Sequence, residues 1–335
     1  MEFAGIRVWK SNGNRFKNLF ISDTFHGIYL DHSHDNVIEK VKIIGKGEEE
    51  IAGQGNGVEL QYAHRNRLTD INIEKTRDGI YFYNANDNEA SGNVIQNTRY
   101  GLHYMYSDDN RFYKNRFMKN TGGAAIMVSK HLQLEENEFS FHGGDQGFGI
   151  LIQESENIRI RNNLFLQNLR GLYVDNAFDN LIKHNRFIHN QVGIELWASS
   201  SNQVFTENRF RQNVTPVITI GGQSNNRWSE KGKGNDWGSD YPLFDLNQDG
   251  IGDTSVIAES SLYHLLKENE LGYLFMKSPA IVIYEKIGQL LNKQEVMFED
   301  PFPLMERPSG FSWVLLPLLI GGSIAGWFYK KRRIL

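Results

Sequence analysis

The sequence predicts an all-β fold, a right-handed parallel β-helix with coils of about 22 residues, followed by a small helical C-terminal region and one C-terminal transmembrane helix. Three observations carry this. A phrase of Gly, apolar, any residue, apolar recurs at Gly5, Gly27, Gly57, Gly79, Gly101, Gly123, Gly149, Gly171 and Gly193, with spacings of 22, 30, 22, 22, 22, 26, 22 and 22. Asn returns in phase with it. Residues 311–329 form an uncharged run, and Lys330, Lys331, Arg332 and Arg333 follow at once.

The first apolar position of the phrase holds residues such as Ile28, Leu102 and Ile194, and the second holds Leu30, Tyr104 and Leu196. Two apolar positions around one variable position is strand alternation with one face turned inward. Six residues after each Gly stands only Ser or Ala, from Ser11 and Ser33 to Ala177 and Ser199, which marks an inward corner. Nine after it stand Asn14, Asn36, Asn66, Asn88, Asn110, Asn180 and Asn202, replaced by Leu132 and Ile158 in two coils. Asn tolerates turn conformations and bonds the backbone, so stacked turns form an amide ladder. Further short strands follow, as at 111–112 and after Asn115, Asn163, Asn185 and Asn208. Three strands in 22 residues leave no room for a crossover helix, so each coil closes and stacks on the next at about 4.8 Å. A leucine-rich repeat fits the Gly and Asn columns poorly. The two longer coils carry polar insertions at 45–56 and 141–147, expected as loops on one face.

The expected division is residues 1–230 for the β-helix, 231–258 for an Asp-rich loop, 259–310 for amphipathic helices and a Pro-containing linker, and 311–335 for a membrane anchor with a basic tail. Helices are expected over 259–268 and 279–292. The basic tail places the β-helix on the outer side of a cytoplasmic membrane, periplasmic or extracellular. Residues 1–25 contain no apolar signal core, and the first coil begins by residue 5 without a polar cap. The expectation is therefore a natural chain that starts upstream, with a signal and further coils. A net charge of −4 gives no nucleic-acid footprint, and the absence of Cys removes thiolate metal sites and thiol catalysis.

Two places offer metal chemistry. Met105 and Met127 hold the same position in successive coils, and His103 shares their outer face. Two thioethers and an imidazole suit Cu(I), and His142 in the adjacent insertion is expected to reach the same face. The competing reading is a packing or protein-binding patch, since Tyr81, Tyr83, Tyr104 and Tyr106 are close. Asp245, Asn247, Asp249, Ile251 (by its carbonyl) and Asp253 have the opening spacing of a calcium loop, with Gly250 at the turn. Position 12 is Val256, so a ligand such as Asp236 or Asp240 would have to be borrowed. His32, His34, His184 and His189 read as solvent-side turn residues. Asp108 and Asp109 are the obvious carboxylate pair, but Asp recurs there as Asp35, Asp87 and Asp179, a turn preference. Catalysis is thus the weaker reading, and a surface β-helix that binds or modifies polysaccharide is kept as the alternative.

The segments 101–110, 171–177, 193–199, 235–237, 245–253 and 300–305 together resemble the NosD family, accessory proteins of nitrous oxide reductase maturation. The resemblance implies a non-catalytic protein that works with an ATP-binding-cassette transporter, NosF as ATPase and NosY as membrane subunit. It also implies copper passed from the chaperone NosL toward the reductase NosZ.

Overall fold

The computed structural model describes residues 3–305, apart from 48–52, 145, 222–224, 240, 242, 261–277 and 292–293. It is a right-handed parallel β-solenoid of about ten coils. One strand from each coil enters a ten-stranded parallel sheet that runs from Ala4–Trp9 to Thr215–Ile220. The remaining solenoid strands form a sixteen-stranded sheet with two wings joined at the long strand Val37–Ile44. The wings begin at Arg67–Thr69 and Asn72–Glu74. In later coils a turn divides what Val37–Ile44 spans in one piece, so the prism has three faces.

The Gly column has a steric cause. In strand Tyr100–Met105, Tyr100, His103 and Met105 are part-exposed while Gly101 and Leu102 are both buried, so the alternation breaks at the Gly. A Cβ on Gly101 would stand 2.6 Å from the Phe117 ring and 2.7 Å from the Gly123 carbonyl oxygen. The same oxygen of the next coil crowds Gly123, at 2.3 Å from Gly149 O. Glycine alone lets the strand bend there without pushing coils apart. The other corners use left-handed residues: in this coil Tyr106 (φ 52°), Asp109 (61°), Lys114 (55°) and Lys119 (53°). Each costs on the order of 1 kcal/mol for a non-glycine residue, and coil stacking offsets it.

Ladders of buried polar side chains satisfy the corners. Asn93, Asn115, Asn137, Asn163, Asn185, Asn208 and Asn235 stack in one file, each Oδ1 accepting the backbone N–H of the rung before it, at 2.8–3.1 Å. Their Nδ2 groups donate to carbonyls one coil back, such as Asn137 to Phe112 O at 2.9 Å. The Ser corner works alike: Ser107 and Ser129 Oγ accept from Ala85 and Ser107 N. Between the ladders the core is a stack of rings, Phe117, Phe139, Phe165, Phe187 and Phe210, at 4.6–5.4 Å and within 14° of parallel.

Three expectations change. The coil opening at Gly193 pairs with the next at a spacing of 23, Ile194 opposite Val217. The extra residue enters at the turn after Trp197, so Ser200 and Gln203, not Ser199 and Asn202, occupy the buried corner positions. At the C-terminal end the expected helix Pro279–Leu290 is present, its Ile281 packed on Ile218 and Ile220. Where a helix is expected over 259–268, Glu259 and Ser260 instead end the strand Val256–Ser260, antiparallel to Glu295–Asp300, and 261–268 lie outside the described residues; alternate burial of Val256 and Ala258 fits that strand. The segment expected as a linker caps the solenoid. Asp300 Oδ2 accepts from Asn235 N (2.7 Å) and Trp237 Nε1 (2.9 Å), closing the Asn file, and Phe298 stacks on Trp228 and Trp237. The expected C-terminal span lies outside the described residues; among those described, no helix is long and apolar enough to cross a membrane.

Asn137→Ala removes both the acceptor for Asn115 N and the donor to Phe112 O in the solenoid interior. The expected loss is about 3 kcal/mol, read as a lower urea midpoint, whereas substitution of exposed Lys114 should leave the midpoint unchanged.

Candidate metal centre

The ten-stranded sheet turns its outer face to solvent at the coils opening at Gly79, Gly101 and Gly123. Parallel register sets Tyr83, Met105 and Met127 side by side, and likewise Tyr81, His103 and Ala125. Met105 and Met127 are direct partners on adjacent strands, so their Cα atoms lie about one coil spacing apart. Both are half-buried. Tyr83 and Tyr106 meet edge to face on one side of the pair. On the other side Met127 packs against an outer-face apolar cluster of Ala125, Phe148 and Leu151, with Tyr100 and Tyr173 at its edge. Gly122 makes room for it: a Cβ there would lie 2.4 Å from the Phe148 ring.

His103 is held from the other direction. Its Nδ1 lies 2.9 Å from Asp78 Oδ2, and Tyr81 and Tyr100 meet its ring edge-on at centroid distances of 4.8 and 5.4 Å. Asp78 is almost fully buried and also takes a two-point contact from Arg99, Nε at 2.9 Å and Nη2 at 2.6 Å. Burial by itself would raise the Asp78 carboxyl, but the His103 and Arg99 hydrogen bonds outweigh it and hold the group below the usual carboxylate range. Burial pushes the neighbouring Tyr81 phenol up to about 12. Two thioethers and an imidazole thus share one outer face beside aromatic rings, donors of the kind that suit Cu(I). Among the described residues no three His, Asp or Glu side chains converge on one point.

His142 does not join this group. It is fully buried on the opposite side of Gly123, inside the file Thr98, Asn120, His142, Asn168, Asn190. Its Nδ1 accepts Asn120 N at 3.2 Å, the role that Asn Oδ1 plays in the neighbouring coils. Burial pushes its imidazole down to about 4. The 141–147 insertion, expected to carry His142 outward, begins after the ladder position it fills. His34 and His64 also accept backbone amides through Nδ1, from His64 N and Asn86 N. The place of His34 as a turn residue agrees with its sequence column. Asp108 Oδ1 caps Lys130 N, and Asp109 is a left-handed corner residue.

The 245–253 loop folds around its own amides. Asp245 accepts from Asp249 N and Gly250 N, Asn247 Oδ1 from Asp249 N, Asp249 Oδ1 from Ile251 N, and Asp253 Oδ2 from Leu246 N. Ile251 bridges to Leu304, which ties the loop to the cap. Asp236, the candidate extra ligand, is paired with Arg209 at 3.2 Å and Arg211 at 2.5 Å; Asp240 lies outside the described residues. The residues that the sequence offers as calcium ligands thus also hold the backbone of their own loop. Sequence columns did not single out Asp78, Arg99, Gly122 or Phe148. The signal was the position just before each Gly, which also faces outward because of the kink.

A family profile described as periplasmic copper-binding protein (NosD) matches residues 42–242. The chain is 33% identical over 299 residues to the probable ABC transporter binding protein NosD of Stutzerimonas stutzeri, covering 84% of this chain and 67% of that one. It is 28% identical over 141 residues to the protein of the same description from Pseudomonas aeruginosa, covering 42% of this chain and 32% of that one. Among solved structures, the tailspike protein of E. coli bacteriophage HK620, in complex with pentasaccharide, superposes with a TM-score of 0.52 at 10% identity. That match covers 68% of this chain and 48% of the tailspike, and it shows the fold alone.

His142 carries a pH dependence of known sign. Its folded pKa, about 4, is below the ordinary 6.5, so the unfolded chain takes up the proton first as pH falls. The stability it contributes is intact above pH 6.5 and declines toward pH 4, by about 2 kcal/mol at pH 5. His142→Asn should abolish that part of the decline in urea titrations at pH 7 and pH 5, and should leave Cu(I) affinity unchanged. For the 245–253 loop, addition of a calcium chelator should move the melting temperature by less than about 2 °C.

Proposed function

The chain belongs to the NosD family of periplasmic copper-binding proteins, and from that premise we propose that it is a non-catalytic protein that holds copper transiently on its outer sheet face. Copper is cargo in this reading, passed toward nitrous oxide reductase (NosZ) during its maturation. The observation that carries it is the register of Met105 against Met127, with His103 two residues away on the same strand. Those three side chains would hold Cu(I), the ion that favours thioether and imidazole donors. The Tyr83–Tyr106 pair and the Phe148–Leu151 cluster would limit water at the site.

Partners follow from the family. The relatives' description as ABC transporter binding proteins supports docking to a transporter built from NosF and NosY, with NosL as copper donor. The rigid ladder-bonded prism suits a docking platform, because its outer columns keep fixed spacing. A periplasmic or extracellular setting on the outer side of the cytoplasmic membrane agrees with the family description. The uncharged run 311–329 with its basic tail supports a C-terminal anchor in that orientation.

Titration of the full chain with Cu(I) against a competing chelator should give a dissociation constant below about 1 μM. The paired variant Met105→Ala with Met127→Ala should weaken it by at least about tenfold, about 1.4 kcal/mol, without a change in melting temperature beyond that of a matched surface pair. Unchanged affinity in the paired variant would overturn this site. Absence of copper binding together with turnover of a uronan polymer would favour a polysaccharide-acting β-helix.

A further inference from the structure

A histidine bound to a soft cation through one nitrogen needs its other nitrogen protonated and its ring fixed. The surroundings of His103 supply both. Asp78 opens the strand Asp78–Tyr83 of the preceding coil and stands opposite Tyr100 in the parallel register. The Gly79 kink turns the Asp78 side chain to the outer face, where it reaches Arg99 and His103. Arg99 grips both carboxylate oxygens, Nε on Oδ1 and Nη2 on Oδ2, which fixes the carboxylate plane. Tyr100 N adds a bond to Oδ1 at 3.3 Å. Two groups face His103 Nδ1: Asp78 Oδ2 at 2.9 Å, which as an ionised carboxylate only accepts, and Arg99 Nη2 at 3.3 Å, which only donates. The Arg99 donor is the more distant and is already engaged on Asp78 Oδ2 at 2.6 Å, so the carboxylate decides and Nδ1 carries the hydrogen. With Nδ1–H on Asp78 Oδ2, the lone pair of a neutral His103 resides on Nε2. His34 and His64 are arranged in the opposite sense: each Nδ1 accepts a backbone N–H, which leaves Nε2 protonated and unable to offer a lone pair.

We propose that Asp78, locked by Arg99, is a positioning residue that holds His103 as the Nδ1–H tautomer and so presents Nε2 to a soft cation at Met105 and Met127. The tautomer part rests on the contacts of Asp78, Arg99 and His103 alone. The copper part rests on the reading of the site given above. The edge-on Tyr81 and Tyr100 rings add to the constraint by limiting rotation of the imidazole. The soft site thus includes a pair from two coils that never touches the ion.

Long-range ¹H–¹⁵N NMR on ¹⁵N-labelled, metal-free protein reads the tautomer directly, above the pH at which the ring is neutral. The expected result is Nδ1–H at His103, against Nε2–H at His34 and His64 in the same sample. In Asp78→Asn the amide offers a donor as well as an acceptor, so the tautomer should become mixed or reversed. Cu(I) affinity should then fall about 10- to 100-fold, and Asp78→Glu should recover part of it. A wild-type His103 found as Nε2–H overturns the proposal without any variant, so a failure of Asp78→Asn to fold does not shield it. An Asp78→Asn protein that keeps both the tautomer and the affinity, while His103→Ala weakens binding, also overturns it. If His103→Ala leaves Cu(I) affinity unchanged, the copper reading fails, and the metal-free spectrum still decides whether Asp78 sets the tautomer.

Discussion

Close approach of successive coils is the constraint on which the rest depends. Strands in a parallel stack sit about 4.8 Å apart, and at each Gly the next coil's carbonyl comes so near that a Cβ would meet it at 2.3–3.0 Å along the file from Gly5 to Gly193. That contact bends the strand and turns two consecutive residues inward. It frees the position before the Gly to face outward. Asp78, Tyr100, Phe148 and Arg170 all gain their outer placement this way. The soft-donor face and the group that orients His103 are thus products of the same steric kink.

The buried polar files answer a second demand of that stacking. Every corner leaves amides that bulk water cannot reach, and an unmade bond there costs more than a made one contributes. Asn meets this with an acceptor and a donor on one short side chain. His142 meets the acceptor part of it through Nδ1, and Thr98 and Thr76 fill the same file nearer the N-terminal end. The file through Asn235 ends on Asp300, whose carboxylate takes the last amide and the Trp237 indole. Burial raises that carboxyl above its ordinary range despite these bonds. The cap is therefore a polar termination as well as an apolar lid of Phe298 on two Trp rings.

Rigidity has a functional consequence. Because every outer column is a register column, a donor pair such as Met105 and Met127 is held by backbone hydrogen bonds rather than by loop packing. A soft cation could then bind and leave without reordering the chain, which suits cargo better than a resident cofactor. Ala125 stands opposite His103, and Gly122 leaves the space that the Phe148 ring takes.

The sequence by itself determined the period, the three short strands of the later coils, the inward Ser or Ala corner and the pairing of Met105 with Met127. All of these repeat at fixed spacing, and a fixed spacing converts directly into neighbourhood in a stack. It also separated turn residues such as His34 and Asp108 from the rest, since their columns recur. Tertiary structure alone decided what breaks the repeat. The extra residue near Ser199 shifted two columns by one, because register follows hydrogen bonding and not counting. His142 proved to be a rung, since its neighbours in the file are 22 and 26 residues away. Strand Val256–Ser260 needed its partner 295–300 to exist, and the 245–253 loop spent its oxygens on its own amides. Asp78 and Arg99 became visible only when two coils lay side by side, for a hydrogen bond across 25 residues has no signature in either coil alone.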